Sequence, residues 1–174
     1  MSSTGTTFDS VLLGTTSERY GRIWLGASNG SELLPLAVPV TAQYYVNLGN
    51  NQGAFETNTL DQCTQIPLTP AASPNYGNLS LSNATAPLTT TSTSPSYVSP
   101  YSSTLVNGQT QISLSAPKVP GSIEVSLPGL AAWLKLYPYQ WSIPGIGSTT
   151  PAALATFGVY QGRAPIIYWR EQFR

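Results

Sequence analysis

Five carboxylates are the side chains best suited to catalytic chemistry: Glu32, Glu56, Asp61, Glu124 and Glu171. A glycosidase needs two carboxylates across a sugar-binding site, but these five lie in separate segments and no spacing brings two of them together. The chain has no histidine, the usual general base near neutral pH, so Ser-His-Asp and Cys-His arrangements are excluded. The residues therefore favour a protein without a catalytic site, and a carbohydrate-active enzyme stays a minor alternative.

Metal and cofactor sites have equally little support. No phosphate-binding glycine loop and no spaced cysteine cluster is present. Oxygen atoms near Asn58 and Asp61 are weak candidate calcium ligands, because few acidic residues lie nearby. Cys63 is the only cysteine, and we expect a buried thiol acting as a small hydrophobe; the alternative is a bond to a cysteine on another segment. We expect no cofactor and no metal.

Aromatic side chains are the stronger candidates, for binding. Adhesive modules often hold glycans with exposed rings, which cover the apolar faces of sugars, and with amides, which pair with hydroxyls. For Trp24, Trp133 and Trp169 the aliphatic neighbours favour core packing instead. The candidate ligand-binding residues are Tyr44, Tyr45, Tyr76, Tyr97, Tyr101 and Trp141.

The composition restricts the partners. Charged residues make up 8% of the chain, against about 25% in a typical soluble protein, and the formal net charge is zero. Without a positive field, nucleic acid is not an expected partner. No apolar run approaches the roughly 20 residues of a spanning helix, so we expect no membrane insertion by this chain.

The positioning elements are short strands, since 15 prolines and 15 glycines are spread along the whole length. A hairpin is predicted with arms at 19–27 and 33–46 around a turn at Asn29-Gly30-Ser31. Pro35 and Pro39 cannot donate a ladder hydrogen bond, so the second arm is predicted to lie at a sheet edge.

Further strands are predicted at 54–59 and 63–68, and then where apolar residues alternate after turn signals. The alternating residues are Ile112 and Leu114 after Asn107-Gly108, and Ile123, Val125 and Leu127 after Pro120-Gly121. A Ser/Thr-rich surface loop is expected at about 83–104, and at most one short helix near 128–137.

A terminal hairpin is the strongest local signal, with arms at 155–160 and 166–170 joined by Gly162-Arg163-Ala164-Pro165. Short strands at this spacing are typical of antiparallel sandwiches. The sequence therefore predicts one all-β domain over 1–174, with an antiparallel β-sandwich-like fold.

Three stretches together resemble the C-terminal domain of MshQ-like bacterial surface proteins, which are associated with the mannose-sensitive haemagglutinin type IV pilus. The first comprises Tyr20-Gly21-Arg22, Gly30-Ser31-Glu32-Leu33-Leu34-Pro35-Leu36 and Ala42-Gln43-Tyr44. The second comprises Phe55-Glu56-Thr57-Asn58-Thr59 and Asp61-Gln62-Cys63-Thr64. The third comprises Ala155-Thr156-Phe157-Gly158-Val159-Tyr160 and Ile166-Ile167-Tyr168-Trp169-Arg170-Glu171, and it is the most specific of the three.

The resemblance implies a module of a larger exported protein, located at the cell surface or on pili and acting in adhesion or pilus biogenesis. Residues 1–7 have neither a basic nor an apolar stretch, so we expect the export signal to lie outside this chain. Surface glycans, or pilus or minor-pilin subunits, are the expected partners.

A structural assembly module is the alternative to a glycan binder. Such a module would add a strand to a neighbouring subunit, either through the expected edge at 35–40 or through the terminal strand. The terminal residues proposed for strand pairing are Ile166, Ile167, Tyr168, Trp169, Arg170 and Glu171.

Overall fold

The computed structural model describes residues 21–49, 52–69, 74–131, 134–135 and 150–158. Ten strands lie within these residues. They are β1 (Gly21–Leu25), β2 (Ser28–Gly30), β3 (Leu36–Gly49), β4 (Gln52–Thr57), β5 (Asn75–Tyr76), β6 (Leu79–Ser82), β7 (Pro95–Ser96), β8 (Gln109–Leu114), β9 (Gly121–Ser126) and β10 (Ala152–Phe157).

The strands form two five-stranded sheets. In the first sheet the order is β1-β3-β8-β7, with β4 also paired to β3; in the second it is β2-β10-β9-β6-β5. Every pairing is antiparallel except that of β10 with β2, which is parallel. The predicted all-β, sandwich-like fold is confirmed.

The core lies between the two sheets and follows the alternation of side chains along each strand. In β9, Ile123 and Val125 are fully buried, while the alternating residues Ser122 and Glu124 are only partly buried. Ile112 and Leu114 of β8 are buried in the same cluster. The strands predicted from these alternating residues are therefore confirmed.

The turn before β8 is also as predicted. Asn107 and Gly108 both have positive φ, at 52° and 73°, which is the backbone of a tight hairpin turn. Val106 and Gln109 exchange hydrogen bonds across it, at 2.9 and 3.1 Å. A Cβ atom at Gly108 would overlap the Asn58 carbonyl, so both the backbone angle and the close approach require glycine here.

β3 as a whole is an interior strand, but the edge predicted for 35–40 is correct for residues 36–39, which pair with β8 alone among the described strands. β3 pairs with β1 on one side, and with β8 and then β4 on the other. The Pro39 carbonyl accepts a hydrogen bond from the Gly26 N–H at 2.9 Å. The proline nitrogen therefore faces the end of β1, whose ladder stops at Leu25 opposite Val40, and interrupts no pairing.

The first predicted hairpin is correct in its pairing and wrong in its turn. Ile23 lies opposite Ala42 in the β1–β3 ladder, but the turn lies at Ser31–Leu34, where the Leu34 N–H donates to the Ser31 carbonyl at 3.4 Å. Residues Ser28–Gly30 instead form β2, which crosses to the second sheet and runs parallel to β10. This crossing joins the two sheets near the start of the described chain.

Three other segments differ in detail. The predicted strand at 54–59 corresponds to β4, whereas 63–68 makes only an isolated bridge between Gln65 and Thr104. Within 83–104, β7 pairs with β8, and the buried Thr93 hydroxyl donates to the Ser115 carbonyl at 2.6 Å. The second arm of the terminal hairpin lies outside the described residues.

The described part of 128–137 contains turns and no α-helix. The Leu130 N–H donates to the Leu127 carbonyl at 3.4 Å, and the Leu134 N–H to the Ala131 carbonyl at 2.9 Å. Both bonds span three residues, the spacing of a tight turn. Across the described ranges, no helix has the length and apolar character needed to cross a membrane.

We predict that Leu81→Ala destabilises the protein by about 2–5 kcal/mol, because it leaves a cavity in the core. The Leu81 side chain is 0% exposed and lies opposite Val125. Leu154→Ala is the matched control, since Leu154 is 51% exposed on the outer side of β10, and it should change stability by less than about 0.5 kcal/mol. Urea unfolding measures both changes, and equal losses would contradict this placement of the core.

Candidate binding surface

The outer side of the first sheet carries the candidate binding surface. Its side chains alternate with core residues, so they project away from the second sheet. Trp24, Thr41 and Gln109 form one row across β1, β3 and β8, and Tyr45 lies opposite Phe55 on β4. We call this surface the aromatic–amide face and define it by Arg22, Trp24, Gln43, Tyr45, Phe55, Gln109 and Gln111.

Arg22, Gln43 and Phe55 form a connected group on this face. The Arg22 Nε donates to the Gln43 Oε1 at 2.8 Å, and its guanidinium carbon lies 3.6 Å from the centroid of the Phe55 ring. The Phe55 and Tyr45 rings are 5.6 Å apart at an angle of 67°, an edge-to-face contact. These contacts hold the side chains in one arrangement.

Gly53 makes room for the Tyr45 ring. A Cβ atom at Gly53 would overlap the Tyr45 hydroxyl and ring carbons, and Gly53 lies opposite Asn47 in the β3–β4 ladder. Any larger residue would displace the ring from this position. Gly53 therefore allows the Tyr45 ring to lie over the backbone of β4.

Trp24 lies on this face and not in the core, so its predicted burial is wrong. Its ring is 40% exposed, whereas Ile23 and Leu25 on either side are buried. A Cβ atom at Gly26 would lie 3.0 Å from the Trp24 Cη2 and 2.6 Å from the Pro39 Cγ, so the ring rests beside bare backbone. The alternation within β1 was the sequence signal that could have placed Trp24 outside.

The predicted tyrosines do not form one site. Tyr45 belongs to the aromatic–amide face, while Tyr44 points to the opposite side of β3 and donates to the Glu56 Oε2 at 3.3 Å. Tyr76 is partly buried against the core. Tyr101 is 42% exposed at the wall of a groove next to β8.

Tyr97 has a structural role. Its hydroxyl donates to the Ile66 carbonyl at 2.6 Å, and its ring packs against the core. Burial raises the pKa of Tyr97 to about 12. A partly buried phenol that is committed to a backbone acceptor is poorly placed to meet a ligand.

The remaining predicted positions lie outside the described residues. They are Trp141 in the ligand-binding set, and Ile166, Ile167, Tyr168, Trp169, Arg170 and Glu171 in the strand-pairing set. Trp133 and Trp169, which were expected in the core, also lie outside the described residues. Arg22, Gln43, Phe55 and Gln109 were not predicted as site residues, because their grouping depends on the strand register.

Asp61 holds its own loop together. Its Oδ1 accepts from the backbone N–H of Thr64 at 3.0 Å and of Cys63 at 3.2 Å, and its Oδ2 accepts from the Thr64 hydroxyl at 2.7 Å. Partial burial acts to raise the pKa of Asp61, but these hydrogen bonds outweigh it and hold the pKa below its ordinary value. The oxygens considered for calcium are therefore engaged within the loop.

Cys63 is exposed, so the expected burial of its thiol is wrong. Its Sγ lies 3.8 Å from the Asp61 Oδ1, to which the thiol donates. The loop turns around the Asp61 carboxylate, and this directs the neighbouring side chain to the surface. Among the described residues, no group of three or more potential His, Cys, Asp or Glu metal ligands lies together.

Comparison with known protein families identifies the family of this domain. Residues 19–172 match the family described as DUF6701, fourth domain. The chain belongs to this family. No curated protein and no solved structure matches the chain.

We predict that Tyr97→Phe lowers the free energy of unfolding by about 1–3 kcal/mol near neutral pH, because the buried Ile66 carbonyl loses its donor. The folded state holds the Tyr97 proton more tightly than the unfolded state. The stabilisation that the Tyr97 hydroxyl contributes therefore has its full value below pH 10.0, the ordinary pKa of tyrosine. It is lost as the pH rises towards about 12, the pKa of Tyr97 in the folded protein.

The difference in stability between wild type and Tyr97→Phe should accordingly shrink above pH 10.0. Urea unfolding at a series of pH values below and above this point measures it, with Tyr101→Phe as the exposed control. A difference that stays constant to the highest pH would contradict the raised pKa.

Proposed function

We propose that this domain is a non-catalytic, extracellular adhesion module that contacts surface glycans through its aromatic–amide face. One observation carries the proposal: the exposed Trp24 ring, the half-buried Tyr45 and Phe55 rings and several side-chain amides share one side of a sheet. Rings of this kind cover the C–H faces of sugars, and amides exchange hydrogen bonds with their hydroxyls.

The charge of the face supports a polar, uncharged ligand. On the outward positions of β1, β3, β4 and β8, Arg22 is the one charged side chain, and it already donates to Gln43 and stacks on Phe55. Gln109 and Gln111 contribute amides from β8, with Gln111 opposite Pro39. A surface with apolar rings, amides and little charge suits carbohydrate better than it suits nucleic acid or an acidic protein.

The absence of catalysis is part of the proposal. The candidate carboxylates that are described serve separate local contacts: Glu56 accepts from Tyr44, Asp61 from its own loop, and Glu124 from the Asn83 amide at 2.9 Å. Glu32 lies close to Gly158. This distribution does not supply the facing pair of carboxylates that glycoside hydrolysis needs.

The proposed location follows from the family. The description of the matched unit as a fourth domain fits a module of a larger protein, and the resemblance to MshQ-like proteins favours a type IV pilus or the outer surface of the cell. We propose that the domain acts there in adhesion or in pilus biogenesis.

Assembly by strand addition remains the second candidate function. Residues 36–39 of β3 pair with β8 alone among the described strands, so this short edge stays available to that hypothesis. Strand addition would use this edge or the terminal residues 166–171, with pilus or minor-pilin subunits as partners. Binding of a purified pilin without any glycan binding would favour it over the adhesion proposal.

We predict that the 174-residue chain binds neutral oligosaccharides on a glycan array, and that Trp24→Ala weakens this binding about two- to tenfold, the value of one aromatic contact. Leu154→Ala, on the outer side of the second sheet, is the matched surface control and should bind like wild type. The adhesion proposal is wrong if the wild-type chain binds no glycan.

We also predict that deletion of the gene for the parent protein impairs attachment of the cells or their piliation. Attachment assays and electron microscopy of pili measure the two effects, and complementation with the wild-type gene is the control. A deletion strain with normal pili and normal attachment would contradict the proposed location and role.

A further inference from the structure

A groove beside β8 has the chemistry of a sugar subsite. Its volume is about 230 Å³, and it is lined by Pro100, Tyr101, Ser102, Thr104, Val106, Gln109 and Thr110. Ligand pockets for drug-sized molecules span about 300–1,000 Å³. The smaller volume here suits a ligand of about one ring.

The groove has an apolar wall and several polar side chains that make no hydrogen bond within the described part of the chain. Tyr101 and Val106 are 42% and 62% exposed and supply the apolar surface. Within the described part of the chain, the Tyr101 hydroxyl, the Thr104 hydroxyl and the Gln109 amide make no hydrogen bond. A pyranose ring presents the complementary pattern, with a C–H face and hydroxyls at its edge.

The backbone behind the groove is held in place before any ligand binds. The Thr110 hydroxyl donates to the Ser102 carbonyl at 2.6 Å, and the Ser102 hydroxyl bridges to the backbone of Thr104. On the other side, the hairpin turn between Val106 and Gln109 is closed by its two hydrogen bonds. A preorganised site loses less conformational entropy on binding.

The lining contains no charged residue. A carboxylate or sulfate on the ligand would have to give up its hydration without gaining a cation, which is costly. The uncharged lining therefore selects for neutral sugars and against sialic or uronic acids.

Gln109 connects the groove to the aromatic–amide face. It lines the groove and also lies in the row with Thr41 and Trp24. A glycan chain that lies on the face can thus place one ring in the groove while its neighbours contact the sheet.

From these observations we propose that the groove at Tyr101 and Gln109 is a subsite for one neutral hexopyranose ring, and this rests on the proposed glycan-binding function. The Tyr101 ring covers the C–H face of the sugar. The Gln109 amide and the Thr104 hydroxyl pair with its hydroxyls.

The test uses the 174-residue chain and three neutral probes: methyl α-mannopyranoside, methyl β-galactopyranoside and methyl β-glucopyranoside. We expect at least one of them to shift the side-chain amide signals of Gln109 in ¹H–¹⁵N NMR spectra. Tyr101→Ala should weaken that binding at least tenfold, and Tyr101→Phe should weaken it less because the ring remains. Val98→Ala, an exposed change in the same loop, should bind like wild type, and thermal unfolding checks that each variant is folded.

The outcomes separate this inference from the adhesion proposal. If oligosaccharides bind, and Trp24→Ala weakens this binding while Tyr101→Ala does not, the subsite proposal is wrong and the adhesion proposal stands. If the methyl glycosides of sialic and glucuronic acid shift Gln109 and the neutral probes do not, the neutral specificity is wrong. If neither the probes nor any oligosaccharide binds, both proposals fail.

Discussion

The alternation of side chains along β3 is the constraint on which the rest of the structure depends. Residues 36, 38, 40 and 42 point into the core and are buried, whereas Gln43 and Tyr45 point outward among the residues of the aromatic–amide face. The 14-residue strand pairs with β1, β4 and β8. A shift of one residue in register would exchange the two sets and lose both the core and the surface.

Local patterns were sufficient for much of the fold. The alternating residues of β8 and β9 and the Asn107-Gly108 turn were predicted correctly, because period-two burial and positive φ are properties of a few adjacent residues. The effect of Pro39 on the sheet has a different basis. Whether Pro39 blocks a ladder depends on which neighbour its nitrogen faces, and that neighbour is Gly26, 13 positions earlier in the chain. Only the register of the sheet reveals it.

The candidate surface was less predictable for the same reason. Tyr45 and Tyr101 were identified as ring-bearing candidates, but their usefulness depends on groups from other strands. Arg22 meets Gln43 across β1 and β3, and Phe55 reaches Tyr45 from β4. Composition shows that the chain is rich in aromatic rings, amides and hydroxyls. It does not show which of these groups share a face of the sheet. Tyr97 illustrates the limit, because a tyrosine within a hydroxyl-rich segment is committed to the Ile66 carbonyl.

Low charge has consequences for both stability and recognition in this fold. Since few charged residues are available for ion pairs, hydroxyl groups supply much of the local order in the loops, such as the Thr93 hydroxyl on the Ser115 carbonyl and the Thr64 hydroxyl on the Asp61 carboxylate. On the outer side of the first sheet, the scarcity of charged residues means that amides and aromatic rings face the solvent. Hydrogen bonds between neutral groups contribute about 0.5–1.5 kcal/mol each, so a single contact gives weak binding. A surface of this kind gains useful affinity when several copies engage a ligand together, as the proposed adhesion function requires.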